Sequence, residues 1–261
     1  MANVGLVAST SKEHPGVLLL TIDRPPVNAM SLDLFRHLRD TMRTVADDPA
    51  IRCVILTGAG KVFCAGADVK ELSERTTESQ FARSEISRAC FDAIRSCPLP
   101  VIAAVNGAAL GAGMVMASCC DLLISSERAV FSLPEINVGV MGGPRHAARV
   151  LPDKLVRYLA LTGRKIDGET LMRYGGANEV VPHEDLLPSA FAIADEIARK
   201  GPKTIRLMKE SINLTEDMPI TEGYRVEQLF TTLASSMEES KEASRAFVEK
   251  RDPHWVADLK K

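Results

Sequence analysis

The amino-acid sequence predicts an α/β core followed by a helical C-terminal region. Up to about residue 135, short β-branched runs alternate with stretches at helical spacing, and from about Pro152 the pattern turns almost wholly helical. The make-up sets the class: 261 residues, 46% hydrophobic and 25% charged, belong to an ordinary globular protein and exclude disorder or collagen-like repeats.

Residues 17–22, 53–57, 101–105 and 122–125 read as buried strands, because their apolar runs are continuous rather than alternating. Between the first two, Leu32, Phe35, Leu38, Met42 and Val45 share one stripe, which predicts a helix capped by Ser31. Further helices fall near 154–162, 167–174, 186–199, 203–215, 220–236 and 240–250, separated by Gly163, Gly168, Gly201-Pro202 and Pro219. The last of them carry Tyr224, Leu229, Phe230, Leu233 and Phe247, more apolar surface than a solvent-facing extension needs. That region is expected to pack on the core or on another subunit. No short repeat and no low-complexity linker is visible.

Lys and Arg number 32 against 34 Asp and Glu, a formal charge of -2, so no basic surplus is there to neutralise a phosphate backbone and nucleic acid is not an expected partner. The start, Met1-Ala-Asn-Val-Gly, is unlike a secretory signal, and no apolar stretch approaches the roughly 20 residues of a membrane span. A cytoplasmic protein, or the mature form of an organellar one, with no membrane partner is expected. Six cysteines (Cys53, Cys64, Cys90, Cys97, Cys119, Cys120) show no C-x-x-C spacing, and the five histidines form no paired-ligand pattern. Neither a disulfide framework nor a bound metal is expected.

Three stretches carry candidate chemistry, each after a predicted strand. The first is Gly58-Ala-Gly-Lys-Val-Phe-Cys-Ala-Gly66-Ala67-Asp68, and the second is Asn106-Gly-Ala-Ala-Leu-Gly111-Ala112-Gly113, which leads into a helical run at 114–120. Small residues there let a ligand or another backbone come close, and free N–H groups at a helix start hold a negative oxygen. Neither stretch has the spacing of a phosphate-binding P-loop, and no G-x-G-x-x-G opens the first βα unit. The third, Phe131-Ser-Leu-Pro-Glu135-Ile-Asn-Val-Gly139-Val-Met-Gly142-Gly143-Pro144, sets a carboxylate among apolar residues beside a Gly-rich turn. That setting raises its pKa and equips it for proton transfer.

Five landmarks stand in order along the chain: Leu20-Thr-Ile-Asp-Arg-Pro-Pro-Val-Asn-Ala-Met-Ser31, Phe63-Cys-Ala-Gly-Ala-Asp68, Ile102-Ala-Ala-Val-Asn-Gly107, Leu133-Pro-Glu135 and Ala246-Phe-Val-Glu-Lys-Arg-Asp-Pro253. In that order and wording they resemble the crotonase family, also called the enoyl-CoA hydratase/isomerase family, whose members work on acyl-CoA thioesters. The resemblance covers nearly the whole chain. It implies a spiral of ββα units over residues 1–198. Over 199–261 it implies a helical region that assembles a homotrimer, or a hexamer as a dimer of trimers, and completes the CoA site. It implies an enzyme whose partner is an acyl-CoA substrate, with no cofactor because coenzyme A arrives on that substrate. The oxyanion hole falls on the backbone N–H groups of Ala67 and Ala112, and the catalytic carboxylate on Glu135. CoA and substrate contacts fall on Ala65, Ala67, Asp68, Val69, Lys70 and Gly111, and Lys250 matches a C-terminal basic residue that approaches the CoA phosphates.

Family hydratases are similar in carrying two glutamates; the second matches Glu135, while the position of the first holds Val115, which can neither orient nor deprotonate water. Ala108 stands where an aromatic is often seen. The loop after Glu135 is shorter than the family's and brings Arg145 and His146 toward the predicted site, where His146 is an accessory candidate as acid, base or water ligand. The Asp that dienoyl isomerases carry eight positions after the Glu135-like residue is Gly143 here, which disfavours that subclass. The wording Met218-Pro219-x-x-Glu222-Gly223-Tyr224 looks like the carnitinyl-CoA dehydratase branch. The expected function is thioester enolate chemistry of the hydratase/isomerase type with one catalytic Glu. Alternatives are Δ3–Δ2 isomerisation, acyl-CoA hydrolysis or C–C bond hydrolysis; a catalytically lapsed acyl-CoA-binding protein is the alternative of another class.

Overall fold

A computed structural model describes residues 4–68, 71 and 76–259. Its α/β core holds two sheets, and successive hairpin-like units deal one strand to each. The chain runs through β1 (Leu6–Thr10), β2 (Val17–Ile22), α1 (Leu32–Thr44), β3 (Cys53–Gly58), β4 (Val62–Cys64) and α2 (Thr77–Arg95). It continues through β5 (Val101–Val105), β6 (Ala108–Leu110), α3 (Ala112–Cys119), β7 (Leu122–Ser126), β8 (Val130–Ser132), α4 (Pro144–Ala147) and α5 (Asp153–Thr162). Then come β9 (Lys165–Asp167), α6 (Gly168–Arg173), β10 (Glu179–Val181), α7 (Leu186–Ala198), α8 (Pro202–Thr215), α9 (Ile220–Ser236), α10 (Glu238–Glu249) and α11 (His254–Asp258).

The first sheet has the order β1-β2-β3-β5-β7-β10 and the second β4-β6-β8-β9. Thus β3, β5 and β7 enter one sheet while β4, β6 and β8, which follow them directly, enter the other. All pairings are parallel except β1 with β2 and β8 with β9. This is the expected spiral of ββα units. The segment after Pro152 departs from its expected, almost wholly helical character, because β9 and β10 lie in it. Each is three residues long and closes an edge of its sheet, too short for any alternation to show.

Burial explains the continuous apolar runs. In β3 and β5 every residue is buried, and alternate side chains serve opposite faces. Val54, Leu56, Val101, Ala103 and Val105 join the larger core with Leu34, Leu38 and Met42 of α1, whereas Cys53, Ile55, Ile102 and Ala104 pack under α7 through Leu186, Ala190 and Ala194. Ser31 caps α1 as expected, its hydroxyl accepting from Leu34 N at 3.2 Å. All six cysteines are buried and unpaired.

The C-terminal helices attach through polar pins. Lys209 of α8, 7% exposed, donates to Asp121 Oδ2 at 2.6 Å and to the Leu99 carbonyl at 2.9 Å, while the same Asp121 oxygen accepts from Val101 N. Beyond α8, α9 buries only Gly223 among its residues and leaves Ile220, Tyr224 and Leu229 exposed, and Phe247 of α10 is exposed too. Among the described residues no helix is long and apolar enough to cross a membrane.

Candidate active site

The strip from β4 to Asp68 is braced from below. Asn28, buried, donates through Nδ2 to the carbonyls of Ala59 (2.9 Å) and Val62 (2.6 Å), and Asn106 donates to the Gly60 carbonyl at 2.9 Å. Met30 N donates to Gly66 O at 2.8 Å and Asp68 N to Met30 O at 3.0 Å, which fixes Ala67 between them. In a parallel pairing of that kind the N–H of the central residue points away from its partner. Ala67 N therefore has no acceptor among the described residues.

A second strip lies beside it. Gly111 takes φ +53°, a conformation open to glycine, and turns the chain from β6 into α3. Ala112 is the first residue of α3, so its N–H belongs to the four that a helix leaves free, at the positive end of the dipole. Gly113 is required by contact: a Cβ there would sit 2.3 Å from the Cys64 carbonyl oxygen. The absence of a side chain lets α3 dock against β4, bringing Ala112 beside Gly66 and Ala67.

Glu135 follows β8 in a 3₁₀ turn, Pro134–Val138. Its Oε1 lies so close to Gly111 that a Cβ on that glycine would be 2.8 Å away, and its Oε2 is buried with no hydrogen-bond partner among the described residues. Burial, with no cation to offset it, pushes this carboxyl above the ordinary glutamate range. Together Glu135, Ala67 and Ala112 line one cavity of about 550 Å³, with Ala65, Gly111 and Val115. Val115 is 3% exposed and supplies an apolar wall to the cavity. His146, in the single turn α4, also lines the cavity and sets its ring edge-on to Phe91 at 5.5 Å. Burial lowers its pKa, and Arg149, Arg145 and Arg95 lower it further against the opposing pull of Asp92, so the imidazole is neutral near pH 7.

Of the residues expected from sequence, Ala65, Ala67, Gly111, Ala112, Glu135 and His146 converge on this cavity, and Asp68 and Lys250 do not line it. Asp68 is buried against Arg24, whose Nη2 donates to it at 2.7 Å, and so braces the strip. Lys250 caps α10 in the left-handed conformation, exposed. Arg145 turns outward to Asp217. Val69 and Lys70 lie outside the described residues. Sequence reasoning passed over α2, which lines the cavity with Gln80, Arg83, Ser84, Ser87 and Arg88. Its signal was the Thr76/Ser79 capping box and the helical spacing 80, 84, 87, 88, 91.

Comparison with known proteins places the fold in a family. The family model for enoyl-CoA hydratase/isomerase matches residues 12–258. A (7aS)-7a-methyl-1,5-dioxo-2,3,5,6,7,7a-hexahydro-1H-indene-carboxyl-CoA hydrolase of Mycobacterium tuberculosis is 36% identical over 94% of this chain and 99% of its own. A carnitinyl-CoA dehydratase of Citrobacter koseri is 34% identical over 93% of this chain and 95% of its own. The crystal structure of an enoyl-CoA hydratase from Bacillus anthracis superposes with a TM-score of 0.90 at 31% identity, covering 95% of this chain and 98% of that one. With its interleaved sheets, its paired strips and a match that spans nearly its full length, the chain belongs to the enoyl-CoA hydratase/isomerase, or crotonase, family of acyl-CoA-processing enzymes.

Proposed function

We propose that this protein seats the carbonyl oxygen of an acyl-CoA thioester between the N–H groups of Ala67 and Ala112 and that Glu135 moves a proton at the neighbouring α-carbon. The observation that carries this reading is Glu135 Oε2, buried with no hydrogen-bond partner among the described residues, in one cavity with two backbone N–H groups that have no acceptor among those residues. As the α-carbon gains carbanion character, charge collects on the thioester oxygen, where fixed donors bind it more tightly than they bind the ground state. Such donors are worth a few kcal/mol each, about 2.7–4 in a measured case. The reading needs no cofactor beyond the coenzyme A that the substrate carries. Coenzyme A runs along the strip from Ala65 to Asp68, with Lys250 toward its phosphates, and the C-terminal helices join copies into a trimer or a dimer of trimers.

For the bond that changes, hydrolytic cleavage next to a β-ketone fits best. Val115 leaves one carboxylate in the cavity wall among the described residues, and the full-length relative from Mycobacterium tuberculosis is a hydrolase. Glu135 as carboxylate takes a proton from water, which the neutral His146 holds, and the hydroxide bonds to the β-carbonyl carbon. The α–β bond then breaks, its electron pair passes to the thioester oxygen as an enolate, and Glu135 returns the proton to the α-carbon. The products are a carboxylic acid and an acyl-CoA. A second reading, double-bond isomerisation, is favoured by the same single carboxylate in an apolar wall, because it asks only for a proton removed at one carbon and returned at another. Incubation in deuterated water with 2-enoyl-, 3-enoyl- and cyclic 3-oxoacyl-CoAs, followed by mass spectrometry, separates these. Cleavage with one deuterium at the α-carbon is expected; absence of α-exchange on every thioester would overturn the enolate reading.

A further inference from the structure

A cavity for a plain hydrocarbon chain calls for apolar walls, yet α2 turns a polar face to this one. Arg83 is the informative residue. It is 8% exposed, its Nη2 donates to Glu71 Oε2 at 2.8 Å and to the Glu71 carbonyl at 3.3 Å, and its Nη1 is buried with no acceptor among the described residues. Holding Glu71, which also accepts from Leu32 N, is structural work that needs Nη2 alone. A buried guanidinium with an unpaired donor is expensive, since desolvation is not repaid by a hydrogen bond. On the next residue, Ser84 Oγ accepts from Gln80 at 3.5 Å, and its own proton has no acceptor among the described residues. Both residues line the cavity that holds Glu135.

We propose that the acyl group of the substrate bears a second oxygen function remote from the thioester, a ring ketone or a carboxylate, which accepts from Arg83 and Ser84. This rests on the reading of the cavity as an acyl-CoA site and names the substrate class within it: oxygenated acyl groups rather than plain alkyl chains. Arg suits the task because its planar fork holds Glu71 with one nitrogen and offers another to the ligand.

The test is binding, read without turnover on Glu135→Gln by calorimetry with two matched pairs. One pair is 4-oxocyclohexanecarboxyl-CoA against cyclohexanecarboxyl-CoA, the other adipyl-CoA against hexanoyl-CoA. The oxygenated member of at least one pair is expected to bind about tenfold tighter or more, and the preference is expected to vanish in Arg83→Gln and in Arg83→Met. Which pair responds tells ketone from carboxylate. Equal binding within both pairs, which needs no Arg83 variant to see, overturns the proposal, as does a preference that survives loss of the guanidinium. Failure of all four thioesters to bind overturns this and the acyl-CoA reading together; binding without α-exchange by the parent enzyme overturns the catalytic reading alone.

Discussion

Glu135 and Val115 set the chemistry at the scale of single residues. Glu135→Gln keeps the shape and removes the proton acceptor, so turnover should fall by roughly 10²–10⁴ with CoA affinity little changed. Burial raises the Glu135 pKa above 4.5, and the working form is the carboxylate, so α-exchange should fade on acidification at a pH higher than an ordinary glutamate would give. A group whose folded pKa is raised stabilises the fold below its unfolded pKa and loses that contribution as pH rises through the folded one. Glu135→Gln should therefore melt no lower than the parent at neutral pH, with any gain shrinking toward acid; a large loss of Tm would show that the carboxylate braces the fold. Val115→Glu should raise hydration of a short 2-enoyl-CoA by giving water a second carboxylate. The new side chain must sit where Val115 Cγ2 would already be 3.0 Å from a Cβ on Gly143, so the assay is read on protein that melts cooperatively near the parent. Unchanged hydration in such protein would show that Val115 does not limit it. Glu135 was legible because its motif sets it beside a Gly-rich turn. Arg83 was not, since nothing local marks a charge whose partners, Glu71 and the cavity, are assembled only by the fold.

At the scale of elements, the start of α3 is the part most open to test. Ala112 is its first residue, the position where proline is best tolerated and where its missing N–H disturbs no helical bond. Ala112→Pro is thus a cleaner deletion of one oxyanion donor than a proline deeper in the helix would be, and it should lower turnover by about 10²–10³ while Ala112→Gly stays near the parent. Equal activity of the folded proline and glycine variants would show that this N–H holds no oxygen. Legibility of elements followed length and burial. The strands β2, β3, β5 and β7 and the helix α1 each expose a run or stripe long enough to show its period, and the sequence placed them within a residue or so. The three-residue strands β4, β6, β8 and β9 that make the second sheet are below that length. Helix α2 is exposed through most of its first half, where Arg83 alone is buried, and so carries no apolar stripe there to find.

Across the whole molecule, α9 and α10 present Ile220, Leu229, Leu233, Phe247 and Val248 to solvent in a single copy, more than a monomer ordinarily leaves bare. Sedimentation should give a multiple of the 28.3 kDa chain, three or six copies being the proposal, and Leu229→Glu with Phe247→Glu should drive it toward the single chain. A parent that sediments as one chain would sink that assembly. The buried cysteines lead somewhere different. Burial pushes the thiols of Cys53, Cys64 and Cys119 up to about 12, and the other three are raised as well, so the native protein holds no competent thiolate at neutral pH. Each sulfur is then a silent clock, alkylated only while its own surroundings have come apart. Cys64 carries the carbonyl on which α3 docks, and Cys53 lies on the far face of the sheet under α7. If saturating iodoacetamide marks Cys64 well before Cys53, the oxyanion strips breathe while the sheet stays whole; if the two are marked together, the site opens only when the entire fold does.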